Sequence, residues 1–265
     1  GFVTRGELKK ISVTGGSPIT LTTLDRSRGA SWSPDGTIVF APSVFSGLAR
    51  ISSNGGPVEP LTTLDTEKDE KTHRWPQWLP GGEAVLFTSV SGDATVFDAG
   101  TIEVVRVATG QRTVVHRGGY YARYVPTGHV LYVHRGTLFA LPFDVRRMQA
   151  TGPQMPVLEG IEANPTEGSA QYGVSENGLL VYLDDVAEIA PFTIVSVDRQ
   201  GRVTPLWSER GIYGTPRLSP DGRRLAVSVQ RADNWDIWVY DIERDVATRV
   251  TFGERYDADP VWSPD

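Results

Sequence analysis

The tetrapeptide Ser33-Pro34-Asp35-Gly36 recurs as Ser219-Pro220-Asp221-Gly222, and the chain ends on Ser263-Pro264-Asp265. Looser versions lie between them: Leu79-Pro80-Gly81-Gly82, Val125-Pro126-Thr127-Gly128 and Ser175-Glu176-Asn177-Gly178. The closing glycines stand at 36, 82, 128, 178 and 222, at intervals of 46, 46, 50 and 44, and a sixth falls due one place beyond Asp265. A fixed period of this size marks a repeat architecture, which limits the fold more than any other feature of the chain. Ser first, Pro with its φ pre-set second, Asp third and Gly last is the chemistry of a type I β-turn.

Each turn is followed by a short apolar run: Ile38-Val39-Phe40, Val85-Leu86-Phe87, Val130-Leu131-Tyr132, Leu180-Val181-Tyr182 and Leu225-Ala226-Val227. Continuous runs of this length suit strands covered on both faces. A large apolar residue stands four places ahead of each glycine position, at Trp32, Trp78, Tyr124, Val174, Leu218 and Trp262, so every unit begins with a hairpin. Third strands follow at 48–52, 102–107, 138–143, 193–197 and 237–242, and fourth strands such as 57–64 or 247–252 come after a Gly-bearing turn. Gly15–Asp25 and Gly55–Asp65 share seven of eleven residues.

Four strands per repeat of this length predict an all-β chain, a β-propeller of four-stranded antiparallel blades. Six blades are expected in a single domain over 1–265: 1–25 plus 257–265, 28–65, 73–116, 119–161, 169–207 and 213–252. Pairing of the N- and C-terminal strands would close the first unit and remove exposed sheet edges. A larger propeller from which this segment is cut is the alternative.

Composition excludes several functions. With 26 Lys+Arg against 32 Asp+Glu the chain is acidic, which argues against nucleic acid as a partner. Cysteine is absent, removing disulfides, thiolate metal sites and cysteine nucleophiles. No stretch approaches the roughly 18 apolar residues of a membrane span, so no membrane insertion by this segment is expected. Gly1 leads directly into strand-like sequence, read as a mature protein or an excised domain.

At the turn motifs, with Trp32 and Trp262 just ahead of theirs, the chain resembles the TolB-like (WD-repeat-like) propellers of bacteria. It is similar above all to the propeller region of bacterial transmembrane Ser/Thr protein kinases. The stretches that carry this are Leu61-Thr62-Thr63-Leu64-Asp65 with His73-Arg74-Trp75-Pro76-Gln77, Pro142-Phe143-Asp144, Val195 to Gly201, Arg217 to Gly222, and Asp236-Ile237-Trp238-Val239-Tyr240-Asp241. The resemblance implies a kinase-associated sensing or docking part with an extracytoplasmic (periplasmic or cell-surface) location. The kinase itself is not in this sequence: it has no Gly-rich phosphate loop with a Lys-bearing strand, no His-Arg-Asp loop and no Asp-Phe-Gly.

In a propeller the innermost strands line an axial channel. Counting back seven to nine places from each glycine position places Arg28, His73, Arg74, Trp75, Tyr120, Tyr121, Gln171, Tyr213, Thr215, Asp257 and Asp259 at its mouth. Arginines, carboxylates, a histidine and aromatics together suit a protein partner, a peptide or a small polar ligand such as a sugar. Mutual pairing of these groups is the plainer reading. Asp257 and Asp259 are too few oxygen donors to establish Ca²⁺, and capping or pairing with Arg255 is the simpler expectation. The other histidines, His116, His129 and His134, lie away from His73 in the repeat, so no imidazole cluster of a metal-dependent lyase is expected. Gly173-Val174-Ser175-Glu176-Asn177 lacks the second glycine of a nucleophile elbow. Asp65–Arg74 reads as a solvated connection, Trp238 as packing between blades and Trp235 as an exposed anchor.

The expectation is therefore a monomeric, non-enzymatic binding module with no catalytic residues, metal or cofactor assigned. The alternatives are a propeller lyase or hydrolase acting on a polysaccharide or lactone, and the gating propeller of a hydrolase domain absent from this sequence.

Overall fold

The computed structural model describes residues 1–4, 6–92, 96–183, 192–198, 201–231, 234–253 and 256–264. Its turns form as their side chains dictate. The Gly36 amide donates to Ser33 O (3.0 Å), the Ser33 amide to Thr37 O (2.9 Å) and the Thr37 amide to Asp35 Oδ1 (2.8 Å). Ser219–Gly222 repeats the pattern, with Gly222 N to Ser219 O at 2.9 Å and Ser219 Oγ to Asp221 Oδ1 at 2.6 Å. The glycines at 36, 82, 128, 178 and 222 all have φ between +69° and +87°, where a Cβ is disfavoured. The serine hydroxyls, with the following amides, hold Asp35 and Asp221 below the usual carboxylate range.

Strands β1 (Phe2–Thr4), β2 (Glu7–Lys10) and β3 (Ile19–Thr23) form the first antiparallel ladder. The second is β4 (Ala30–Trp32), β5 (Thr37–Phe40), β6 (Ala49–Ser52) and β7 (Glu59–Pro60), and the third β8 (Glu70–Trp78), β9 (Ala84–Ser91), β10 (Thr101–Arg106) and β11 (Arg112–Arg117). The fourth is β12 (Tyr120–Val125), β13 (His129–His134) and β14 (Thr137–Asp144), with both β15 (Gln149–Ala150) and β16 (Met155–Glu159) paired to β14. A two-stranded pair follows, β17 (Ala163–Asn164) and β18 (Ser169–Ala170). Then β19 (Tyr172–Val174), β20 (Leu180–Tyr182), β21 (Phe192–Val197), β22 (Val203–Leu218), β23 (Arg224–Arg231), β24 (Asn234–Asp241) and β25 (Val246–Arg249) make one seven-stranded sheet. Finally β26 (Asp257–Ala258) pairs β1, with Val3 opposite Ala258 and Thr4 opposite Asp257. The one helical element among the described residues is a single 3₁₀ turn, Phe97–Ala99, and no helix there is long and apolar enough to cross a membrane.

The chain divides into two compact units. The first comprises Gly1–Thr23, Gly160–Glu162 and Gln171–Trp262; the second comprises Leu24–Glu159, Ala163–Ala170 and Ser263–Asp265.

In the second unit the apolar runs work as two-faced strands. Val85, Phe87 and Val105 join Val39, Ala41 and Leu48 in one core cluster. Their neighbours Ala84, Leu86, Ile102 and Val104 join Ala122, Val130, Tyr132 and Leu141 in another. Alternate residues of β9 and β10 thus bury against different sheets, which is why the runs Ala84–Phe87 and Val104-Val105 are apolar at consecutive positions instead of alternating.

The first unit departs from the expected spacing. A connection was expected near 208–212, but β22 runs 16 residues without a break. Gly211 could have supplied a turn, yet its φ is not positive, and it stays in register opposite Phe192 while Ile212 already faces Gln230 on β23. One core gathers both halves of this strand, with Trp207 stacked on Tyr240 (centroids 5.3 Å, 5°) and Trp238 packed alongside.

Candidate functional site

Three strands share a local distortion. The β8–β9 register slips between Arg74 and Gln77, that of β12–β13 between Tyr120 and Arg123, and that of β22–β23 between Gly214 and Arg217. At each bulge the residue seven places before the turn glycine takes left-handed backbone: Trp75 (φ +56°), Tyr121 (+55°) and Thr215 (+52°). Gly29 (+93°) and Asp259 (+50°) occupy the same place in their repeats, and only Gln171 does not follow. Left-handed φ is unfavourable for a tryptophan, a tyrosine and especially a β-branched threonine, and strain of about 1–3 kcal/mol per residue persists only where the surroundings impose it.

These residues touch their counterparts in the neighbouring repeat. In the second unit the Trp75 amide donates to Arg28 O (2.8 Å), and the Trp75 and Tyr121 rings meet edge-on at 5.2 Å. A Cβ on Gly29 would lie 2.8 Å from Trp75 Cε3, so this position has no room for a side chain. Trp75, Tyr120 and Tyr121 are all buried. In the first unit the arc is polar and half-buried: the Thr215 amide donates to Gln171 Oε1 (2.6 Å) and the Thr215 hydroxyl to Asp259 Oδ1 (3.1 Å). Replacing Thr215 with Asn, which tolerates left-handed backbone and keeps polar reach, is expected to raise stability by about 1 kcal/mol in urea denaturation. A loss instead would show that the threonine is relaxed there.

The remaining candidates take other roles. His73 is fully buried, its Nδ1 accepting from the Thr62 hydroxyl (2.7 Å) and its Nε2 donating to Glu70 Oε2 (3.2 Å). Burial, reinforced by the Arg112 charge, lowers its pKa to about 4 despite Glu70. Arg74 donates to Thr72 Oγ1 (3.1 Å), Glu167 O (2.8 Å) and Val44 O (3.1 Å), and its guanidinium lies 4.5 Å from the Phe97 ring centroid. Burial, and then Arg28, bring Arg74 down to about 10. Arg28 pairs with the Glu167 carboxylate at 3.1 Å. Tyr213 is buried, its hydroxyl donating to Glu209 O (2.6 Å), and burial pushes it up to about 12. Asp257 is buried, hydrogen-bonded to Thr251, and raised by burial and by Asp236. The proposed pairing of Asp257 with Arg255 lies outside the described residues. Trp235 is half-buried against Tyr256 (5.8 Å). Among the described residues no three His, Asp or Glu side chains converge as metal ligands.

Sequence reasoning missed a buried ion cluster. Arg112 bridges Glu70 and Glu103, with Nη1 2.8 Å from Glu70 Oε2 and Nη2 2.9 Å from Glu103 Oε2. Burial works to raise Glu70, but the Arg112 hydrogen bonds and neighbouring charges outweigh it and hold the acid low. Asp65–Arg74 is therefore not simply a solvated connection, because Glu70 within it is buried. Glu103 was legible as a charge inside the run Ile102-Glu103-Val104-Val105; Glu70, among polar neighbours, carried no such signal.

No protein-family model and no curated protein sequence matches the chain. Solved structures do. TolB from Acinetobacter baumannii is similar over 100% of this chain and 66% of its own, with a TM-score of 0.79 at 17% identity. A putative TolB from Agrobacterium tumefaciens is similar over 99% of this chain and 94% of its own, with a TM-score of 0.74 at 14% identity. The fold is a TolB-like β-propeller. The same propeller likeness extends, at a TM-score of 0.59 and 14% identity, to 94% of this chain and 71% of an oligogalacturonate lyase in complex with manganese. Fold alone therefore does not separate binding from catalysis.

Proposed function

We propose that the chain is a six-bladed propeller acting as a non-enzymatic binding module, with its first blade completed by β1–β3 and β26. It presents the innermost-strand residues to a protein or a small polar ligand. The observation that supports this best is the half-buried arc Gln171–Thr215–Asp259, strained at Thr215 and Asp259, which offers amide, hydroxyl and carboxylate groups from three consecutive repeats. Strained backbone of this kind is concentrated at ligand-contacting positions. The resemblance to kinase-linked propellers supports an extracytoplasmic location and a role in sensing for a catalytic partner. A second reading, a propeller enzyme acting on a polysaccharide, draws on the likeness to the oligogalacturonate lyase.

A thermal-shift screen against short peptides, oligosaccharides and divalent ions tests the proposal. A ligand present at 100 times its Kd adds about 2.7 kcal/mol and is expected to raise Tm by several degrees. That shift should disappear in Asp259→Asn. Turnover of an oligosaccharide, abolished by the same variant, would overturn the binding-module reading in favour of the enzyme.

A further inference from the structure

The repeat provides an internal control for a second site. Thr62 and Thr251 do the same structural job: each hydroxyl accepts an amide fourteen residues earlier, from Leu48 (2.8 Å) and Ile237 (2.9 Å) respectively. Each then hydrogen-bonds the residue nine places ahead of the next glycine position, His73 in one case and Asp257 in the other. Around Thr62 the space is filled, because the His73 ring packs edge-on against Phe87 (4.8 Å) and is bonded to Glu70. Around Thr251 the smaller aspartate leaves a cleft of about 460 Å³, lined by Phe2, Thr4, Lys9, Pro18, Phe252 and Gly253 together with Thr251 and Asp257.

The chemistry of the cleft is specific. Its walls include the rings of Phe2, Phe252 and Pro18, and Phe252 is 72% exposed. The two nearby cations are committed elsewhere, Lys9 to Glu7 (2.9 Å) and Arg249 to Asp236 (2.8 Å). Among the described residues no cation stands within ion-pair distance of Asp257, and the other oxygen of Asp236 is buried without a hydrogen-bond partner. A carboxylate at the buried end of an aromatic-walled cleft favours a cation on an apolar stem. The Phe252 ring already accepts one cation, with the Arg249 guanidinium 5.0 Å from its centroid.

We infer that this cleft binds an alkyl ammonium group, as in a lysine side chain or a free diamine, with the ammonium on Asp257 and the stem against Phe2 and Phe252. None of Gln171, Thr215 and Asp259 lines it, so this site stands or falls independently of the polar arc. The test is calorimetric titration of the full chain with two probes, 1,5-diaminopentane and a lysine-containing pentapeptide, with the Nε-acetylated peptide as control. Wild type is expected to bind at least one probe and not the acetylated peptide. Near-isosteric Asp257→Asn should weaken binding at least about tenfold, and Phe252→Ala, at an exposed position, about fivefold. Binding of both probes, or of the diamine alone, supports a small-amine site, and binding of the peptide alone supports a chain-borne lysine. Binding of neither overturns the inference, as does equal binding of the acetylated peptide or full affinity in a folded Asp257→Asn.

Discussion

Arg112→Leu is expected to lower the unfolding free energy by about 3–5 kcal/mol and Tm by roughly 10 °C. Arg112 is the shared counter-ion of Glu70 and Glu103, whose side chains are 3% and 6% exposed. Removing it leaves two carboxylates in a poorly solvated place with no cation between them. The cost comes mainly from those stranded charges, because a buried ion pair as a whole contributes little beyond well-packed apolar groups. Arg112→Leu combined with Glu70→Gln and Glu103→Gln should therefore be more stable than Arg112→Leu alone. Urea denaturation of the two variants decides the matter: a single-variant loss below about 1 kcal/mol would mean that water reaches the carboxylates and the cluster is not a structural strap.

Lowering the pH from 6.5 toward 4 should remove up to roughly 3 kcal/mol of stability through His73 alone. The ring is neutral in the fold, where its pKa is about 4, and takes a proton near 6.5 once the chain unfolds. The unfolded state binds the extra proton between those values, so the contribution is complete above 6.5 and drains away as the pH falls toward 4. His116, lowered by burial and by His134, adds to the loss with the same sign. Asp257, raised by burial, acts in the opposite direction. The carboxylates held low, among them Asp35, Glu70 and Asp221, lose their contributions only as the pH passes below their ordinary values near 4. Between 6.5 and about 4.5 the Gly1 amine, brought down to about 5 by burial, adds a loss of the same sign and Asp257 an opposing gain, so the share of His73 is read as the difference between wild type and His73→Gln. Stability measured by urea denaturation across that window should fall steeply for wild type and much less for His73→Gln. An identical slope in the two would refute a buried neutral His73.

How far the sequence could be read follows from the range of the interactions. The five turns were legible because each is made by four consecutive residues, Ser33–Gly36 being the clearest case, with the bonds that close the turn running between Ser33 and Thr37. The two-faced strands were legible because continuous apolarity at Val85-Leu86-Phe87 has one economical explanation, burial on both sides. Counting back from the turn glycines located the bulged positions, and it paired Trp75 with Tyr121 and Gln171 with Thr215 and Asp259. It did not tell which of the eleven candidates face a neighbour and which face water. His73, offered as a channel-mouth group, is sealed between Thr62, Glu70 and Phe87.

The sequence by itself thus determined the period, the turns, the strand order within a repeat and the all-β class, because these depend on residues close together in the chain. Only the tertiary structure decided the rest. Arg112 meets Glu70 across 42 residues, β22 runs unbroken from β21 to β23, and Asp257 opens onto a cleft where His73 fills the equivalent place. Each of these depends on which residues, distant along the chain, the fold brings together. That is a matter of volume and charge in three dimensions, which no local pattern records.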